Sequence, residues 1–154
     1  VDIELSLAVE SVDQAAPVEP LCVEPQISVR RVLELLKERR ATCVLICSGG
    51  QLLGIFTERD ALGVLARRGD LSAAIESLMT ANPVTVSAEA SIGTAIREMV
   101  AGAFRRLPLI ERDGRASGVV QVSGIVHFLV EHFPRTIYNL PPVPHPVTHD
   151  REGS

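Results

Sequence analysis

A hydroxyl and a carboxylate stand three residues apart in the run Gly54-Ile55-Phe56-Thr57-Glu58-Arg59-Asp60, directly after an apolar stretch. Two adjacent cations, Arg105 and Arg106, lie in Phe104-Arg105-Arg106-Leu107-Pro108. An ionised carboxylate can accept hydrogen bonds from two adjacent hydroxyls at once, and the contact is charge-assisted. The planar arginine fork suits phosphate. Both features also have plainer readings. Asp60 at the start of a helix can serve as its N-cap, worth about 1 kcal/mol. Thr57 can be an ordinary strand-end hydroxyl, and two adjacent arginines can be a solvated pair. Neighbours on a strand face opposite ways, so one of the two arginines is expected to enter a cleft squarely and the other to reach around its rim. Glu58 and Arg59 read as surface residues or an exposed ion pair of little energetic weight.

The other reactive side chains do not assemble into a site. Cys43 and Cys47 fall in the apolar run CVLIC. At about 3.3 Å per residue their α-carbons would lie about 13 Å apart, too far for a disulfide. With Cys22 they read as three small buried hydrophobes. His127 and His132 fall in a helical run and read as packing or surface residues. His145 and His149 lie in a Pro-rich tail, without the Cys or carboxylate cluster that a metal site needs. There is no convincing nucleophile–base set, and neither GxGxxG nor GxxxxGK[ST] occurs. No catalytic residue, metal ligand or cofactor is expected, and the chain does not read as an enzyme.

Composition narrows the partners. The net charge is −4, the pI is near 5.6, and the chain has no Trp, one Tyr and four Phe. This disfavours nucleic acid, which calls for basic patches and stacking aromatics. No apolar run approaches the roughly 18 residues of a membrane span, and the acidic start is unlike a secretory signal. A cytoplasmic protein is expected. Hydrophobic residues make up 46% of the 154, enough to bury a core.

The elements that must position Thr57, Asp60 and the arginines occur in two copies. Residues 19–65 recur in pattern at 82–129. Pro20 matches Pro83, Ser28 matches Ser91, and Gly54 matches Gly118 with one residue added in a turn. Each copy predicts a short extended segment (Leu21–Val23, Val84–Val86), a helix, two strands around a turn, and a closing helix. Val29, Val32, Leu33 and Leu36, and likewise Ile92, Ala95, Ile96 and Met99, fall on one helical face. Ser28 and Ser91 are the expected N-caps, and Gly102 is expected to end the second helix. The strand pairs are Cys43–Cys47 with Leu52–Phe56, and Leu107–Ile110 with Gly118–Val122, around glycine-containing turns. Asp60–Arg68 and Ile125–Phe133 read as the closing helices, and Ser72–Met79 as a short connecting helix. Asn139–Thr148 carries four prolines and is neither helix nor central strand.

The phrases GIFTERD (Gly54–Asp60) and LMTANPVTV (Leu78–Val86), set in this double repeat, resemble tandem cystathionine-β-synthase (CBS) domains over residues 10–134. The resemblance implies an α/β fold: two βαββα repeats packed through their small sheets about a pseudo-twofold axis. The repeats would be residues 10–69 and 82–134, with 70–81 a connecting helix or linker and 135–154 a Pro-rich tail. It implies two clefts that often bind adenine nucleotides or S-adenosylmethionine, and pairing of modules into a disc-shaped homodimer.

By the family's anatomy Thr57 and Asp60 would hold the ribose side of a ligand and Arg105 and Arg106 its phosphates. Val84 and Thr85 would flank the adenine, and Ile55 completes the ligand-binding set. In the second cleft Gln121 replaces the Thr and Gly124 the Asp. Thr42 and Cys43 stand where the arginines would. That cleft is expected to be empty or to bind something unlike a nucleotide. The implied function is regulatory. AMP, ADP, ATP or S-adenosylmethionine would be sensed and the state passed to an effector protein that the sequence does not name. The alternative is a ligand-free structural dimerisation or interaction module.

Overall fold

The computed structural model describes residues 7–132 of the 154. In chain order the first repeat gives β1 (Cys22–Val23), α1 (Val29–Arg39), β2 (Cys43–Ser48), β3 (Gln51–Thr57), α2 (Glu58–Ala66) and β4 (Thr80–Ala81). The second gives β5 (Val86–Ser87), α3 (Ile92–Gly102), β6 (Arg106–Ile110), β7 (Ala116–Gln121) and α4 (Val122–His132). The first sheet has the order β1-β2-β3-β4 and the second β5-β6-β7. In each, a two-residue strand pairs in parallel with the first arm of an antiparallel hairpin. The hairpins turn through left-handed backbone at Gly49 (φ 58), Gly50 (φ 81) and Gly114 (φ 90), where the missing Cβ removes the steric cost. The expected serine caps form: Ser28 Oγ accepts from the Arg31 N–H at 3.1 Å and Ser91 Oγ from the Thr94 N–H at 3.1 Å.

Side-chain alternation decides the layering. On β2, Val44 and Ile46 face a core with Val29 and Val32 of α1 and Val64 of α2. Cys43 and Leu45 face the other way, where they meet Ile55 of β3 and Val119 of β7. On β7 the neighbouring Val120 turns to the second repeat's own core of Ile92, Met99, Leu107, Ile125 and Phe128. With both faces covered, these strands read as unbroken apolar runs rather than alternating ones. The two repeats therefore pack through their sheets.

The flanking segments cross over. Val12 and Ala15 are buried in the second repeat's core, and Val18 exchanges backbone hydrogen bonds with Val119 at 3.0 and 2.9 Å. Residues 70–81 pack on the first repeat. Ile75 is fully buried there, and β4 pairs with β3. The helix expected over Ser72–Met79 does not form; a 3-10 turn, Ile75–Ser77, stands in its place. The N–H groups of Ile75 and Glu76 donate instead to the carbonyls of Ile27 (2.7 Å) and Pro25 (3.2 Å). Ala74, at the capping position, offers no side-chain acceptor.

Two further expectations are corrected. α3 runs through Gly102, and Ala103 makes the left-handed reversal (φ 56), closed by the Phe104 N–H on the Met99 carbonyl at 3.0 Å. Gly102 serves a steric purpose, because a Cβ there would meet the Phe104 ring. Of the three free cysteines only Cys43 is buried; Cys47 is half-buried and Cys22 exposed, since on β1 it is Val23 that turns to the core. The Pro-rich stretch, His145 and His149 lie outside the described residues. Among the described residues no helix is long and apolar enough to cross a membrane.

The crossover makes a prediction. Ile75→Ala should cost about 3 kcal/mol, as a core deletion does, seen as a lower urea midpoint. A loss below about 1 kcal/mol would mean that residues 70–81 are a loose connector.

Candidate functional site

A cavity of about 650 Å³ opens between the repeats, within the size range of small-molecule sites. One wall is the end of β3 and the start of α2: Ile55, Thr57, Glu58, Arg59 and Asp60. The facing wall is Phe104, Arg105, Arg106 and Pro108, and Asn82, Pro83 and Val84 close one side. β5 pairs only with Leu109 and Ile110, so the Arg106–Pro108 end of β6 has no strand beside it there. Pro108 suits such a place, having no N–H to leave unpaired.

Thr57 and Asp60 form a capping box. Thr57 Oγ1 accepts from the Asp60 N–H at 3.3 Å. Asp60 Oδ2 accepts from the Thr57 N–H at 2.8 Å and from the Thr57 hydroxyl at 3.2 Å. Thr57 is therefore the N-cap and Asp60 the third helical residue, a reversal of the plain reading in which Asp60 was the cap. The cap and the cavity wall are the same two residues, and the first turn of α2 fixes where the carboxylate stands.

Arg106 is held from the other repeat. Its Nε donates to Thr42 Oγ1 at 2.7 Å, and the same oxygen accepts from Gln121 Nε2 at 3.3 Å. Its Nη2 lies 4.0 Å from Glu58 Oε1, with the arginine side chain 22% exposed and the glutamate 61%. Both arginines line the cavity. Arg105 precedes β6, so strand alternation does not govern it. Glu58 and Arg59 are exposed, as expected, and also border the cavity. Thr85 does not line it; in an extended segment it faces away from Val84's side. Asn82 and Phe104, which lie within the runs LMTANPVTV and Phe104–Pro108 but carry no expected role there, line the cavity too.

Cys43 lies buried beside Arg106. Burial pushes its thiol up from the ordinary 9.0 to about 11, with Arg106 opposing and Glu58 adding to the shift. His132 stacks on Phe128 with ring centroids 4.1 Å apart, a packing contact.

The second cleft lacks the same equipment for a steric reason. A Cβ on Gly124, the counterpart of Asp60, would run into the Ala15 carbonyl oxygen. The lead-in segment occupies the space that a carboxylate would need.

The sequence profile of the family described as "CBS domain" matches residues 12–67 and again 75–131. The chain belongs to the CBS-domain family. It is a tandem CBS pair, and its two small sheets with flanking helices match solved CBS pairs. An uncharacterized 17.7 kDa protein of Acidianus ambivalens is 27% identical over 121 residues, 78% of this chain and 73% of that protein. The CBS domain-containing protein CBSCBSPB3 of Arabidopsis thaliana is 33% identical over 108 residues, 68% of this chain but 19% of that protein. The CBS pair thus spans about a fifth of this plant relative. Arabidopsis CBSX2, solved in complex with AMP, superposes with a TM-score of 0.69 at 24% identity, covering 79% of this chain and 97% of that one. The CBS domain pair of MJ0100, solved with 5′-methylthioadenosine and S-adenosylmethionine, gives 0.70 at 22% identity, covering 77% and 98%. At these identities the two likenesses are of fold.

Two outcomes are expected. Gly124→Asp should destabilise the CBS pair by about 2 kcal/mol in urea unfolding, as overpacking does; an unchanged midpoint would show that the lead-in yields readily. The raised Cys43 thiol stays protonated in the folded state when the unfolded chain has ionised. Its contribution is therefore complete below pH 9.0 and lost as pH rises toward about 11. Lys37 is the only lysine and the chain has one Tyr; Cys47, pushed up by burial from 9.0 to about 12, contributes over the same window, so Cys43→Ala removes only part of the fall. The melting temperature should fall over that window, and more gently in Cys43→Ala.

Proposed function

We propose that this CBS pair is a regulatory module that senses an adenosyl ligand in the cleft between its repeats. The observation that carries the reading is the convergence of the Thr57–Asp60 box and the Arg105–Arg106 pair, from opposite repeats, on one cavity. Both hydrogen bonds that the Asp60 side chain accepts fall on Oδ2, so Oδ1 is available to adjacent ribose hydroxyls. Ile55 and Val84 offer apolar surface to the adenine, and the arginines suit phosphate. The ligand class agrees with the AMP bound by CBSX2 and by the Pyrobaculum aerophilum protein PAE2072, and with the 5′-methylthioadenosine and S-adenosylmethionine bound by MJ0100.

A ligand gripped from both repeats favours one relative orientation of them through differential affinity. That orientation is what an effector protein would read, without chemistry by the CBS pair itself. Free cysteines, one of them exposed, suit a reducing, cytoplasmic setting.

A second reading, a ligand-free dimerisation module, is favoured by a different observation. Leu65 on α2 is exposed, and Val122, Val126 and Val130 on α4 are exposed at helical spacing, whereas the exposed Leu62 borders the cavity. We assign these faces to homodimer contact, which is compatible with ligand sensing.

Isothermal titration with AMP, ADP, ATP, S-adenosylmethionine and NAD, on wild type and Asp60→Ala, tests the proposal. Asp60→Ala also breaks a cap worth about 1 kcal/mol, so affinity rather than melting temperature is the readout. One adenosyl ligand should bind, and Asp60→Ala should weaken it at least about tenfold, as loss of a charge-assisted pair does. No heat from any of them at millimolar concentration, with folded protein, would leave the dimerisation module.

A further inference from the structure

We propose that the second cleft has become a brace for the first: Thr42 and Gln121 hold Arg106 so that the working cleft prefers an adenosyl ligand carrying phosphate. The inference rests on the adenosyl reading above and adds the basis of its selectivity.

Thr42 occupies the place in the first repeat that Arg105 takes in the second, and Gln121 the place of Thr57. In a symmetric pair these two would face the ligand of the second cleft. They instead meet each other and Arg106. The Thr42 hydroxyl oxygen has two lone pairs and accepts two donors, Arg106 Nε at 2.7 Å and Gln121 Nε2 at 3.3 Å. Gln121 is fixed in turn, its Oε1 accepting from Ser123 Oγ at 3.4 Å. The chain of contacts crosses the repeat boundary and ends on a cavity-lining arginine.

A guanidinium tied at Nε has its plane set, and its Nη edge keeps the donors that match a phosphate. The Glu58 carboxylate at 4.0 Å from Nη2 is 61% exposed, a loose contact that a phosphate can replace. An arginine already held loses less rotamer freedom on binding. Thr42 accordingly acts as a positioning residue.

The probes are AMP and adenosine, which differ only in the phosphate, titrated calorimetrically into wild type, Thr42→Val, Thr42→Ser and Gln121→Leu. Thr42→Val removes the acceptor with little change in volume and leaves the Thr42 carbonyl, which accepts from the Glu58 N–H at 3.1 Å. Wild type should bind AMP more tightly than adenosine. Thr42→Val should weaken AMP by about tenfold and adenosine by less than about twofold. Thr42→Ser should restore AMP, and Gln121→Leu should weaken AMP by a smaller factor. Gln121→Leu carries the test if Thr42→Val does not fold. Equal loss of AMP and adenosine, or unchanged AMP affinity, would overturn the brace while the adenosyl reading stands. Equal wild-type affinity for AMP and adenosine would overturn the phosphate preference alone. Wild type binding neither would remove the adenosyl reading, and the brace with it.

Discussion

Leu45, Ile55 and Val119 meet between the two sheets, and water is all but excluded from each of them. Burying a side chain of this size is worth about 1.5–3 kcal/mol relative to leaving it exposed. The helices cannot supply that cover. They already lie on the opposite faces, against Val44, Ile46 and Phe56 in one repeat and Leu107 and Val120 in the other. Each sheet therefore completes its burial only against the other. That contact brings the end of β3 opposite the start of β6, which makes a cleft between Thr57 and Arg106 a consequence of the packing.

The crossed flanking segments hold this arrangement from outside. Residues 12–18, which precede the first strand, complete the second repeat's core, and residues 70–81 complete the first repeat's after its last helix. Each repeat needs chain from beyond its own sequence copy. The relative placement of the halves thus rests on backbone hydrogen bonds such as Val18 to Val119 as well as on the apolar contact.

Within this near-symmetric frame the two clefts have diverged through a few side chains. Asp60 serves both helix and cavity. Its backbone N–H and Oδ2 complete the capping box with Thr57, and that local requirement holds the carboxylate at the wall. Its counterpart Gly124 is dictated by the Ala15 carbonyl pressed against it. A helix start that must sit so close to another segment has no space for a carboxylate.

What could be read from residue order alone is what depends on neighbours in the chain. The one-faced helices of Val29–Leu36 and Ile92–Met99, the serine caps, the glycine turns and the Thr57–Asp60 spacing all rest on interactions spanning a few residues, and the repeat revealed that they occur twice. Elsewhere partners distant in sequence decided the outcome. The helix expected over Ser72–Met79 gave way because Ile27 and Pro25 take its N–H groups. The pairing of β1 with β2 turns Val23 inward and leaves Cys22 exposed. The cleft could be anticipated from Asp60 and the arginine pair. The link from Arg106 to Thr42 and Gln121 could not, because hydrogen bonds between residues so far apart exist only once burial of the two sheets has fixed where the chain crosses itself.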